Sequence, residues 1–303
     1  MTLLEELCAL HGPSGNERAV SRFILHYIEK ERARWARQPE VLHGDGFQDN
    51  IILVFGKPKT AIFAHIDSIG FTVRYENQLV PIGSPDIKTG YKIKGNDYYG
   101  PIECELQVDE DDRISYSFGR AIQTGTDLVF SPTFRETKNY VQSCYLDNRL
   151  GVYVALQLAA TLKDGIIVFS TWEEHGGGSV PFLTKYIYEK YQIAQALICD
   201  ITWITDGVRH GEGVVISMRD RNIPRKSYVE KIIHLAEKHG IPFQLEVEGS
   251  GSSDGREVHQ APYPIDWCFI GAPEDHVHSP NEKVHKNDIM AMIGLYKVLM
   301  EEL

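Results

Sequence analysis

Disulfide chemistry has little to work with in this chain. Its 303 residues include five cysteines, Cys8, Cys104, Cys144, Cys199 and Cys268, which are scattered, odd in number and form no CxxC pair. That usage excludes a disulfide scaffold and suggests a reducing, cytoplasmic setting. Basic charge is also short, with 31 Lys and Arg against 42 Asp and Glu and a formal net charge of -11. A nucleic-acid binder normally carries a basic face, so nucleic acid is not expected as a partner. Long apolar runs are missing too, and none approaches the roughly 20 residues needed to cross a bilayer. The opening MTLLEELCALHGPSGNE places acids where a secretory signal needs positive charge. No membrane association is expected, and no repeat or low-complexity tract is present.

What remains is an ordinary globular composition, 43% hydrophobic and 24% charged, on a chain long enough for one main domain with an insertion. Thr2 to Leu10 reads as a short helix closed by the breakers of His11-Gly-Pro-Ser-Gly15. Ser14 and Glu17 form a capping-box pattern ahead of an amphipathic helix carrying Val20, Phe23, Ile24, Tyr27 and Ile28 on one face. Apolar strands follow at 50–55 and 60–64. From about Gly70 to Val141, Val, Tyr and Thr alternate with polar residues, Gly and Pro recur, and no helical period appears; this reads as a small all-β module.

After Asp147, strands and helices alternate. Helices are expected at 150–162, 180–191, 227–239 and 285–303, and strands at 165–172, 194–201, 214–218, 243–247 and 265–270. Continuous apolar strands between helices indicate an α/β fold, a mainly parallel sheet with helices on both faces. The domain reading is a discontinuous main domain, 1–69 and 142–303, interrupted by an inserted β domain at 70–141.

Five segments share one feature: an apolar strand ends and metal-type ligands follow at once. They are Ala61-Ile-Phe-Ala-His65-Ile-Asp67, Cys144-Tyr-Leu-Asp147-Asn-Arg149, Phe169-Ser-Thr-Trp-Glu173-Glu174, Leu197-Ile-Cys-Asp200 and Glu274-Asp-His-Val-His278-Ser-Pro280. Open α/β sheets gather ligands at the carboxyl ends of their strands, so the five plausibly converge on one crevice. Imidazole and carboxylate without thiolate suit catalytic Zn²⁺, Co²⁺ or Mn²⁺ better than a structural zinc. Singly, each segment has an ordinary explanation, such as a helix cap or a solvated charge run. Their joint occurrence is the signal.

In order and spacing, these segments resemble the glutamyl aminopeptidase family, the tetrahedral or deblocking aminopeptidases among dinuclear metallopeptidases. The resemblance spans nearly the whole chain and includes His11-Gly-Pro-Ser-Gly-Asn-Glu17, His65-Ile-Asp-Ser-Ile-Gly70, Leu146-Asp-Asn-Arg149, Glu173-Glu174, Asp200, Ser253-Asp254-Gly255 and His278-Ser-Pro280. It implies a zinc-exopeptidase-like fold and two divalent metal ions per chain, zinc foremost, with cobalt or manganese as alternatives. It implies that Asp147 bridges the metals, with Glu174 and His278 completing one and His65 and Asp200 the other. Glu173 is then the general base, and Asp67 orients the ring of His65. It also implies peptide substrates cleaved from a free N-terminus, and a homodimer built through the insertion, or a higher homo-oligomer.

The chain departs from its relatives at Ser68 and Asn148, where acids are usual, which makes the site less negative. Arg209, Arg219, Arg221 and Arg256 are read as solvated or surface-paired, an acidic-substrate role being the alternative. His276 and His285 are read as surface histidines. Two other functions stay open: a metal-dependent hydrolase of N-acyl amino acids or dipeptides, and a non-catalytic peptide-binding paralogue.

Overall fold

The computed structural model describes residues 2–303. Its frame is an 11-stranded sheet. The main path runs Glu40–Leu42, Ile51–Phe55, Gly165–Ser170, Thr60–His65, Gln195–Trp203, Asp266–Asp275, Lys283–His285, Tyr140–Gln142, Arg135–Glu136. Val214–Arg219 pairs with both Asp266–Asp275 and Phe243–Val247.

Why the central strands read as unbroken apolar runs is visible in their alternation. Ile62 and Ala64 enter one core with Leu4, Ile24, Leu150, Ile232 and Leu295. Ala61 and Phe63 point the other way, into a second core with Val180, Leu183, Ile187 and Val258. Successive side chains of a strand face opposite sides, so burial of both faces removes the polar half of the alternation. Helices Thr2–Cys8, Arg18–Glu31, Leu146–Ala159, Lys226–Lys238 and Lys286–Glu302 supply the first core, and Val180–Tyr191 with Asp254–Gln260 the second.

The sheet is mixed rather than mainly parallel. Its centre is parallel, Gly165–Ser170 with Thr60–His65, then Gln195–Trp203, then Asp266–Asp275. Towards both edges the pairing turns antiparallel, as in Ile51–Phe55 against Gly165–Ser170 and Asp266–Asp275 against Lys283–His285. A strand buried on both faces carries no pattern that distinguishes the two directions. The sequence also hides the short Asp254–Gln260 helix, which lies between two turn-rich segments.

A second, six-stranded antiparallel sheet is built from residues within Gly70–Phe130, in the order Leu79–Ile82, Gly70–Val73, Asp127–Phe130, Lys92–Asp97, Gly100–Val108, Ile114–Ser117. Arg135–Glu136 and Tyr140–Gln142 pair instead into the large sheet. The small sheet's core includes Phe71, Ile93, Leu106, Leu128 and Phe130, and it closes over Cys144 and Tyr145. The Tyr145 hydroxyl donates to the Phe130 carbonyl at 3.3 Å, tying this core to the segment just before Asp147.

The capping box expected at Ser14 and Glu17 does not form. The helix begins at Arg18 with Glu17 at the cap position and no side-chain cap bond. Ser14 Oγ donates to Asp67 at 2.6 Å, and Glu17 accepts from the Gly15 and Trp172 amides at 2.8 and 3.2 Å. Both side chains serve long-range contacts that a local pattern cannot anticipate.

Phe63 is fully buried in the second core. Phe63→Ala should therefore destabilise the chain by about 3–5 kcal/mol, read as a lower urea midpoint at unchanged slope.

Candidate metal centre

The predicted residues meet at the carboxyl ends of the parallel strands. His65 ends Thr60–His65, and Ser170, its register partner, ends Gly165–Ser170, three residues before Glu173. Asp200 lies within Gln195–Trp203, Asp147 opens the Leu146–Ala159 helix in non-helical conformation, and His278 follows Asp266–Asp275. His65 Nε2 stands 3.2 Å from Asp147 Oδ1 and 3.4 Å from Asp200 Oδ2. His278 Nε2 stands 3.3 Å from Asp147 Oδ2 and 3.2 Å from Glu174 Oε2. Two three-residue groups result, His65–Asp147–Asp200 and Asp147–Glu174–His278, and Asp147 belongs to both through different oxygens.

This donor set fits a pair of divalent cations. Ligands about 2.0–2.1 Å from a tetrahedral ion stand about 3.3–3.4 Å apart, which is the spacing found here. Each Nε2 faces two carboxylate oxygens, and one N–H cannot serve both well. Glu174 Oε1 is buried with no protein partner. One carboxylate offering an oxygen to each group is the arrangement a two-metal centre requires.

The surroundings hold each donor in place. Asp67, fully buried, accepts from Ser14 Oγ and from the backbone amides of Glu173 and Glu174 at 3.1 and 3.0 Å. Its Oδ1 lies 3.4 Å from His65 Nδ1, which has no better partner. One carboxylate therefore positions a ligand ring and both glutamates. Asp200 accepts from Ser253 Oγ at 2.6 Å and from the Ile201 amide at 2.8 Å. His278 Nδ1 lies 3.0 Å from the Ser84 carbonyl, so a proton there leaves Nε2 free to coordinate. Ser84 comes from the loop after Leu79–Ile82 of the small sheet. Neighbouring Gly83 sits at φ +69°, where a Cβ would stand 3.0 Å from the Glu174 carbonyl.

Sequence reading missed Ser84 and Glu282 and gave no role to Ser253, Asp254 or Glu274, all of them buried behind the centre except Ser84. The Ser253-Asp254-Gly255 motif and Glu274 at the head of the His278 segment were the available signals. Ser68 and Asn148, noted as departures, belong to neither ligand group. Asn148 Nδ2 donates to the Cys199 carbonyl at 2.9 Å and its Oδ1 accepts from Gly151, a pairing that needs an amide. Ser68 bonds Gly12.

Charge is heavily coupled. Burial opposes protonation of His65, but the Asp200, Asp147 and Asp67 carboxylates outweigh it and raise its pKa well above the ordinary value. Burial likewise opposes charge on His278, yet Glu174 and Asp147 push it up to about 12. Burial and the neighbouring Asp147 charge lift Glu174 to about 7. Glu173 belongs to neither ligand group and lines the same cavity. Burial, with the Glu174, Asp254 and Asp200 charges, holds it well above the carboxylate range.

The fold and the site have counterparts. A protein of Acetivibrio thermocellus to which an aminopeptidase activity is ascribed is 25% identical over 327 aligned positions, covering 97% of this chain and 96% of the relative. Among solved structures, an aminopeptidase of the archaeon Desulfurococcus kamchatkensis superposes with a TM-score of 0.87 at 22% identity, over 100% of this chain and 94% of that one. The Pyrococcus horikoshii TET1 peptidase, described as assembling into a tetrahedron or a large octahedral shell, gives 0.84 at 21% identity, over 100% and 99%. These likenesses show a shared fold. The family model of the M42 glutamyl aminopeptidases matches residues 105–295, and the chain belongs to that family.

Proposed function

We propose that this chain is a metal-dependent aminopeptidase whose centre is formed by His65, Asp147, Glu174, Asp200 and His278, with Glu173 as general base. The observation that carries the reading is the pair of ligand groups sharing Asp147, with an uncoordinated glutamate in the same cavity. Two divalent ions held there, zinc by preference of the donor set and cobalt or manganese as alternatives, would polarise the scissile carbonyl and acidify a water.

The chain's own residues supply the rest. Glu173 takes the water's proton on its carboxylate and passes it to the leaving amine, a task suited to a carboxyl whose proton affinity burial has raised. Asp67 fixes the Glu173 backbone and so the reach of that carboxylate. Ser253 and Ser84 hold Asp200 and His278 in orientation. The cavity, about 410 Å³, is rich in carboxylates and favours a cationic α-ammonium over an acylated nitrogen, which supports the aminopeptidase over the N-acyl hydrolase. An uncoordinated base also weighs against a purely binding role. We further infer that the segment 70–141 is where copies of the chain associate, with Tyr98 and Tyr99, 87% and 73% exposed, at the contact.

The first test is amino-acid release from short peptides, free and N-acetylated, after zinc, cobalt or manganese loading, with a chelated blank. Release from free peptides alone, lost on chelation, is expected; cleavage of acetylated peptides only would transfer the chain to the acyl-hydrolase class. Glu173→Gln should lower kcat by about 10²–10⁴ with metal per chain, read by elemental analysis, unchanged. Asp67→Asn should weaken metal affinity or activity by about 10–100-fold. Replacing Tyr98 and Tyr99 by Glu should reduce the particle mass seen by light scattering if that surface joins the subunits.

A further inference from the structure

We propose that the cavity beside the metal centre selects peptides whose first residue is lysine or arginine. The proposal rests on the aminopeptidase reading and adds the substrate side chain to it. Beyond the ligands and Glu173, the cavity is lined by Asp220, Glu246, Glu248 and Glu257, with Arg256 the one cationic side chain among the described lining residues. Arg256 is itself exposed and turns to Glu257 at 3.6 Å. Of the four arginines considered for recognising an acidic substrate, Arg209, Arg219 and Arg221 do not line the cavity.

Asp220 and Glu246 are 8% and 4% exposed, burial that carboxylates seldom accept without a partner. The Asp220 carboxylate accepts from the backbone and side-chain amides of Asn222, and Arg219, whose charge acts on it from nearby, donates its Nε to the Asp220 backbone carbonyl rather than to the carboxylate. Glu246 accepts from the Thr202 hydroxyl on Oε1, with the Ser217 hydroxyl its other polar neighbour, and no cationic side chain bonds it. Burial raises the pKa of both, and the Glu248 and Asp220 charges raise Glu246 further, which places the three carboxylates within electrostatic reach of one another. Asp220 and Glu246, buried beside the half-buried Glu248 and with no cationic side chain bonded to either carboxylate, are completed by a cation that arrives with the substrate.

The cavity also has an apolar wall, from Ile201 and Phe269. An aliphatic stem tipped by an ammonium or guanidinium matches such a mixed lining. The α-ammonium, common to every free peptide, needs one carboxylate; the additional acids are surplus to it. An acidic first residue would be repelled.

The test compares aminoacyl coumarin amides of Lys, Arg, Leu and Glu with the metal-loaded enzyme. Lys and Arg should exceed Leu by roughly tenfold or more in kcat/KM, with Glu poorest. In Glu246→Gln and Asp220→Asn the Lys-to-Leu ratio should fall by roughly that factor, through KM rather than kcat. Calorimetric binding of L-lysinamide against L-norleucinamide, which keeps the stem and loses the charge, gives a readout independent of turnover. Preference for Leu or Glu, or an unchanged ratio in both variants, overturns the proposal while leaving the aminopeptidase standing. No cleavage of any substrate sinks the activity, and calorimetry then decides: lysinamide binding no tighter than norleucinamide overturns the pocket assignment as well.

Discussion

Like charges packed into a buried space set the terms for this molecule. Asp147, Glu174, Asp200 and Glu173 converge with two imidazoles at the ends of the central strands, and Glu274, Glu282 and Asp254 stand behind them. Two unit charges 4 Å apart repel by about 4 kcal/mol at an effective dielectric of 20, so carboxylates on flexible elements would swing apart. Here each is fastened from behind, Asp200 by Ser253, the Asp147 amide by Glu282, the Glu173 and Glu174 backbone by Asp67. Asp200 and His65 sit on strands buried on both faces, and Glu173 and Glu174 follow another, which denies the backbone the freedom to relax. Rigidity of the parallel centre is what keeps the charge in place.

How much of this could be read from the chain follows from the range of each interaction. Strands such as Thr60–His65 and Gln195–Trp203 were legible because double-faced burial writes itself as continuous apolar sequence. The candidate ligands could be picked out because they follow those runs directly. Direction of pairing was not, since the same apolar run serves either. Ser14 and Glu17 misled because their partners, Asp67 and Trp172, lie 53 and 155 residues away. Asn148 looked like a lost acid until its amide was seen to bridge Cys199 and Gly151. Asp220 and Glu246 gave no signal: they belong to none of the motifs, and the neighbouring arginines drew attention to the opposite charge.

The small sheet is more than an appendage. Through Gly83 and Ser84 the loop after its Leu79–Ile82 strand reaches the centre, Gly83 against the Glu174 backbone and Ser84 against the far nitrogen of His278. Its core meets the segment leading into Asp147 through Tyr145. A change in how that sheet sits would therefore be felt at the ligands themselves, not only at the surface it presents.

The contact between Ser84 and His278 spans 194 residues of chain. During synthesis the two partners exist together only once the ribosome has passed His278, after both sheets have most of their strands. Until then one ligand group is a residue short and the other imidazole has no counterpart. The second group of donors is thus completed by the last of its residues to be synthesised.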